Sequence, residues 1–286
     1  MRGLSRWLAG PLVFGTFALL TWQERRRPLR KRVEPGLKHR IRNFALAGIG
    51  ALTVVVFESP VIQPLARMVE QRRWGLLGAL QLPVWAEAGL ALVLMDYTFY
   101  VWHVLLHRAP LLWRFHVVHH IDLDLDTSTA LRFHFGELIA SVPWRAAQVS
   151  LIGLNPSTFA VWQVWFALCV MFHHSNLRLP IQAERRINRI LVTPRMHGVH
   201  HSILPEETNS NWSSGLTIWD WLHGTLRLSV PQEEIEIGVP ALHDLQSVTL
   251  PKLLIMPFED QPEYWRFPDG REPGARTAST TNLLLP

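Results

Sequence analysis

The chain has 286 residues, of which 48% are apolar and only 18% charged, and it carries thirteen tryptophans. That balance is greasier than a soluble domain and points to a membrane. The formal charge of +5 accompanies no nucleic-acid-binding motif, and the basic residues cluster beside apolar runs, so membrane apposition rather than nucleic acid accounts for it. A single cysteine, Cys169, excludes an intrachain disulfide and argues against a Cys-based zinc or iron–sulfur site. Any metal must be held by His, Asp or Glu.

In chain order, residues 7–22 (WLAGPLVFGTFALLTW) are apolar, framed by tryptophans and followed by ERRRPLRKR rather than by a small-residue cleavage site. They read as a short transmembrane helix and not as a cleaved signal. Residues 44–66 give a second span, which Pro60 and Pro64 are expected to bend or end near its far side. A third runs from about Leu80 to Leu106. The segments 138–153 and 155–172, split by GLNP, predict a helical hairpin entering the bilayer. Nine Lys/Arg between Glu24 and Arg42, against three near 67–73, place the first loop in the cytoplasm. The second span then leads out and the third returns, so all the histidine clusters share the cytoplasmic face. From 257 the chain turns polar and rich in Pro and Gly, and 257–286 reads as a flexible tail with no part in the chemistry. The expected architecture is all-α: a membrane bundle of three to four spans plus the hairpin, with a cytosolic helical cap. Residues 1–79 supply the first helices and the basic loop, and 80–256 the catalytic domain.

The third span ends in DYTFYVWHVLLH. On a helix, Asp96, Tyr100, His103 and His107 share one face, so two imidazoles can address one point. Asp96 lies two turns deeper, where a carboxylate needs a partner: a ligand imidazole whose tautomer it fixes, or a neighbouring backbone or tyrosine in helix packing. Two further motifs share the spelling H-x-x-H-H: RFHVVHH, with His116, His119 and His120, and RMHGVHH, with His197, His200 and His201. In each, one pair of imidazoles can bind one metal while the remaining histidine reaches a neighbouring one, an arrangement suited to two metals. Chance placement produces one such motif in roughly three of a hundred chains of this histidine content, so two copies plus an H-x-x-x-H set chance aside. Buried imidazoles without partners are also expensive. In MFHHSN, either His173 or His174 is a candidate ligand and the other interfacial. His134 in LRFHFGE is a candidate further ligand or a support behind the ligands. His39, His223 and His243 are read as non-ligands.

This series of boxes, with FHHSN between the last two, resembles the fatty acid hydroxylase superfamily, and within it the sterol desaturase-like branch. The resemblance covers about residues 80–230. It includes TSTALRFHFGE (127–137) and the NW…WDWLHGT ending (211–225), with Phe135, Ser213 and His223 departing from the usual residues. Members are integral membrane, oxygen-dependent non-haem diiron enzymes that hydroxylate or desaturate lipids. The resemblance implies that His103, His107, His116, His119, His120, His174, His197, His200 and His201 hold two iron ions. His173, His134, Asp96, Tyr100, Asn211 and Asp220 are further ligands or residues supporting them. No catalytic group beyond the metal ligands is implied.

Imidazole suits iron, zinc and copper alike. The expected activity is that of an oxidoreductase. It acts on a C–H bond of a sterol-like, fatty acyl or ether lipid with O2 as co-substrate. The chain shows no flavin or NAD fingerprint, so electrons must come from an external carrier, cytochrome b5- or ferredoxin-like. A membrane zinc hydrolase using metal-bound water is one competing reading, and a non-enzymatic lipid- or metal-binding membrane protein the other.

Overall fold

The computed structural model describes residues 6–274. Among them there is no strand, and only three isolated β-bridges join loops. Helix α1 runs Arg6–Arg26, α2 Gly36–Thr53, α3 Ser59–Arg72, α4 Gly75–Leu80, α5 Val84–Arg108, α6 Pro110–His120, α7 Phe135–Gln148 and α8 Pro156–His174. Shorter helices follow: α9 Ile181–Ile187, α10 Pro194–His200, α11 Pro205–Thr208, α12 Ile218–His223 and α13 Leu250–Ile255.

Two stretches, 36–80 and 84–108, are long and apolar enough to cross a membrane by length and composition. The segments expected at 7–22 and across the hairpin do form helices (α1, α7 and α8) but fall outside that measure. Large apolar side chains face outward along the bundle, among them Phe14, Leu52, Val55 and Trp85. That is the surface expected where lipid replaces water.

The second span is not ended by its prolines. A π-helical turn, Val54–Glu58, precedes Pro60, which falls in the first turn of α3, and Pro64 lies inside α3, which continues to Arg72. A missing amide hydrogen costs little in a first turn, and the π-turn absorbs the change of register. α7 and α8 are joined by a second π-turn, Val149–Gly153, and by Asn155, whose side chain caps α8 by accepting from Thr158 N at 2.9 Å. Gly75 and Gly153 meet backbone to backbone beneath this hairpin. Both have positive φ (84° and 91°), and a Cβ added to Gly75 would lie 2.4 Å from Gly153 N. Inside the bundle, Met95, Leu77, Ile62 and Leu154 are buried together.

The opposite end is held by a polar network in the loop after α6, whose DLDLD run (122–126) was not singled out in the sequence. His39 on α2 sits 2.9 Å from Asp122 and 3.4 Å from Asp126, and all three are buried. The buried Arg132 donates Nε to Val118 O (2.8 Å) and Nη1 to Asn43 Oδ1 (3.0 Å). Burial alone would raise the Asp122 carboxyl, but His39, Arg132 and Arg42 around it hold it well below the usual carboxylate range. Nearby, Asn176 of the FHHSN motif clamps the basic loop, accepting from Arg30 N at 2.8 Å and donating to Arg30 O at 2.9 Å.

The segment expected to be a flexible tail is partly ordered. Tyr264 and Trp265 pack on the core around Trp113, Val117 and Leu253, with the Trp113 and Trp265 rings stacked at 6.0 Å. These two aromatics in a Pro- and Gly-rich stretch are enough to dock it, since each covers a large apolar area. The remainder of that segment, 275–286, lies outside the described residues.

Gly75→Ala is expected to destabilise the full chain by about 2–3 kcal/mol through left-handed strain and backbone overlap. Gly48→Ala, where a Cβ meets nothing within 4 Å, should leave the melting temperature in detergent almost unchanged.

Candidate metal centre

The histidines are brought together by four elements. α5 contributes His103 and His107, α6 His116, His119 and His120, and the end of α8 His174. His197 and His200 lie on α10, with His201 just after it. Pro110 occupies the first turn of α6, and Thr193 caps α10 ahead of Pro194, so each H-x-x-H-H lies on a helix with a defined start. α10 packs close to the basic loop: a Cβ on Gly198 would lie 2.3 Å from Arg30 Nη1.

The donor atoms form two groups, each with its members within 4.8 Å of one another. His103, His107, His116, His120 and His200 make the first, and His119, His174, His197 and His201 the second. The helical spacing explains the partition. In each H-x-x-H-H the i and i+4 histidines stay together, while the i+3 histidine turns to the other group. The two copies are therefore interleaved: α6 gives two donors to the first group and one to the second, and the α10 motif does the reverse.

What stands behind each ring determines what it presents to the centre. His103 Nδ1 donates to Trp212 O (2.7 Å), His200 Nδ1 to Ser210 O (2.8 Å), His174 Nδ1 to Val170 O (2.8 Å) and His119 Nδ1 to Arg132 O (3.2 Å). His116 Nδ1 donates to Glu137 Oε2 at 3.2 Å. A carbonyl can only accept, so these Nδ1 atoms carry the proton and the Nε2 lone pairs face inward. Yet His103 and His200 place their Nε2 atoms 3.1 Å apart, and His119 and His174 theirs 3.0 Å apart. Two lone pairs at that distance repel unless a cation lies between them. The buried Nε2 atoms of His107, His116 and His120 have no partner at all. Burial lowers the pKa values of His119, His120, His197 and His201 well below the ordinary imidazole value, and the neighbouring imidazoles lower them further. Burial brings His200 down to about 3. Neutral rings with inward lone pairs are the form in which histidine binds a metal. This donor set fits two metal ions.

The remaining candidates have other partners. His173 is not among the four donors of the second group, but its ring lies 4.0 Å from that of His197, its Nδ1 donates to Ser214 O at 3.0 Å and its buried Nε2 has no partner, the same form as the ligand rings. His134 is a helix cap, remote from both groups: Nδ1 accepts from Gly136 N (2.9 Å), and Nε2 faces Leu254 O (3.2 Å). Asp96 does not touch a ligand imidazole; it accepts from Leu216 N (2.9 Å) and Trp219 Nε1 (2.7 Å), because the 213–219 loop folds back onto α5. Tyr100 pairs with Thr225 at 3.1 Å. Asp220 accepts from Trp212 N and Ser213 N, both at 2.9 Å, and so steadies the residue whose carbonyl holds His103. Asn211, at a φ of 51° that asparagine tolerates, ties Met196 O to the Arg227 backbone. Among the expected non-ligands, His223 lies flat against Tyr100 at 5.0 Å, the packing of an aromatic ring. Glu137 closes the TSTALRFHFGE segment, and its partner is His116, 21 residues before it, rather than the neighbouring His134.

Residues 88–225 match the model of the fatty acid hydroxylase family, a match that spans every histidine of both groups. Among curated proteins, the chain is 30% identical over 159 residues to ornithine lipid hydroxylase OlsE of Rhizobium tropici, covering 56% of this chain and 47% of that one. It is 32% identical to the alkylglycerol monooxygenase of Xenopus tropicalis (49% and 30% covered) and 33% identical to human cholesterol 25-hydroxylase (49% and 51% covered). The chain thus spans about half the length, or less, of the relatives it matches. No solved structure matches it significantly.

Glu137→Gln keeps the fold but loosens His116, and metal affinity measured by competition with a chelator should fall by about 10- to 100-fold. His134→Ala should leave metal content unchanged while costing about 1 kcal/mol of stability through the lost cap.

Proposed function

We infer that the chain is an oxidoreductase that uses dioxygen and a pair of iron ions to hydroxylate a lipid. The observation that carries this reading is the paired donor set, nine imidazoles in two groups. The first group offers five nitrogens, one more than a closed tetrahedral zinc site uses, which favours iron over the hydrolytic zinc alternative. All three relatives named above are hydroxylases or monooxygenases of lipids or sterols, which favours hydroxylation over desaturation.

Bound by these histidines, iron would supply the reduction of dioxygen and an oxidant strong enough to take hydrogen from an unactivated carbon. The rest falls to the protein. Trp212 O, Ser210 O, Arg132 O, Val170 O and Glu137 fix the rings, so that the donors need no reorganisation during the reaction. Eight of the nine donors are buried, with His107 half-buried, which keeps bulk water from the centre. In hydroxylation one oxygen atom enters the C–H bond and the other leaves as water, with two electrons and two protons consumed. The electrons come from an external carrier of cytochrome b5 or ferredoxin type. The basic residues between α1 and α2 support a cytoplasmic position for this face. The substrate is a membrane lipid of sterol-like, acyl or ether type.

Expression in a host lacking the activity, followed by lipid mass spectrometry, should yield a lipid heavier by one oxygen, labelled from 18O2 and absent under anaerobic conditions. The purified chain should bind two iron ions. Product formation without O2, supported by zinc, would overturn the reading. His120→Ala and His201→Ala are each expected to lower product below about 1% of the native level, because each strips a donor from a different group.

A further inference from the structure

α12 projects an apolar surface that nothing among the described residues covers. Of its six residues, Ile218, Trp221 and Leu222 are 48%, 69% and 60% exposed. Ile190, 64% exposed, lies next to them, since its carbonyl accepts from Thr217 N at 3.0 Å and Leu191 pairs with Leu216. Four large apolar side chains grouped in this way mark a surface that binds something apolar. The polar residues of α12 point elsewhere: Asp220 is buried against the Trp212 and Ser213 amides, and His223 lies on Tyr97 and Tyr100. Along the adjoining edge, Arg186 and Arg189 are exposed. An apolar tip beside a basic rim is the pattern of a segment that enters the lipid interface.

The position of α12 in the fold indicates what faces it. Leu216 N and Trp219 Nε1 both donate to Asp96, and Trp219 packs on Tyr97 at 4.9 Å between ring centres. Asp96 is the middle residue of α5, about 18 Å from either end at 1.5 Å per residue. A loop bonded to the middle of a membrane-crossing helix lies at the depth of the lipid. Irregular backbone survives there only where its polar groups are satisfied, and the Asp96 carboxylate satisfies Leu216 N. This also accounts for an ionisable residue halfway along an apolar helix.

We propose that α12 and Ile190 form a membrane-inserted wedge. In it, Ile218, Trp221, Leu222 and Ile190 contact acyl chains, and Arg186 and Arg189 lie at the headgroup phosphates. The inference rests on the reading that α5 crosses the bilayer. Through Asp220, which holds Trp212 N while Trp212 O holds His103, the wedge couples the lipid surface to the first histidine group.

The test uses the full chain in nanodiscs of phosphatidylcholine and phosphatidylglycerol, on a Cys169→Ala background. An environment-sensitive fluorophore is attached in turn at Leu222→Cys, Val93→Cys on α5, and the exposed Glu206→Cys. Replacing the phosphatidylcholine with its acyl-brominated form should quench the probes at 222 and 93 several-fold more than the probe at 206. Quenching at 93 with none at 222 beyond that at 206 overturns the wedge and leaves the crossing of α5 standing. Absence of quenching at 93 removes the crossing itself, and the wedge with it. Should Leu222→Cys fail to fold, Trp221→Cys reports on the same face with the same outcomes.

Discussion

The repulsion among inward-facing imidazole lone pairs is the constraint to which the rest of the structure answers. Nine imidazole rings crowd into the interior, and pairs of Nε2 atoms face each other at 3.0–3.1 Å. Such a core gains nothing from hydrophobic packing and loses the hydration of every nitrogen, so its arrangement suits cations held at its two foci. The scaffold accordingly invests in orientation. Backbone carbonyls from three separate segments, at Ser210 and Trp212, at Arg132 and at Val170, occupy the outer nitrogen of a ring and leave the inner one free to coordinate.

Each of those carbonyls is itself held. Asp220 fixes Trp212, and Arg132 is anchored to Val118 and Asn43, within the network that Asp122 and His39 close. This second network is costly in its own right, because burying His39, Asp122 and Arg132 together removes several charges from water. It joins α2, α6 and the 122–132 loop around His119. The basic loop thereby belongs to the candidate metal centre: it presses Arg30 against Gly198 of the second histidine box.

Much of the centre was legible in the residues themselves. The i, i+3, i+4 spacing of H-x-x-H-H states that one histidine must part from the other two, and the fold separates them in that way, His119 from His116 and His120, and His200 from His197 and His201. The helices at 7–22, 80–106 and across the GLNP hairpin were legible from apolar length. The fate of Pro60 was not, because a π-turn is a response to packing and leaves no local mark in the sequence. The order in the FEDQPEYWRFPDG segment was hidden for a similar reason: Tyr264 and Trp265 gain their stability from Trp113, some 150 residues away.

What the sequence determined by itself is the chemistry, since metal-ligand type and helical periodicity are local properties that survive any arrangement of the chain. What only the tertiary structure decided is the role of the single polar residues. Asp96, His134 and His173 look in sequence as much like ligands as His174 does. The fold spends Asp96 on a loop amide and an indole and His134 on a helix cap, while His173 holds the Ser214 carbonyl and keeps an unpartnered Nε2 beside the second group. A lone imidazole or carboxylate takes its function from whichever partner the chain brings within hydrogen-bonding reach, and those partners here lie between two and more than a hundred residues distant.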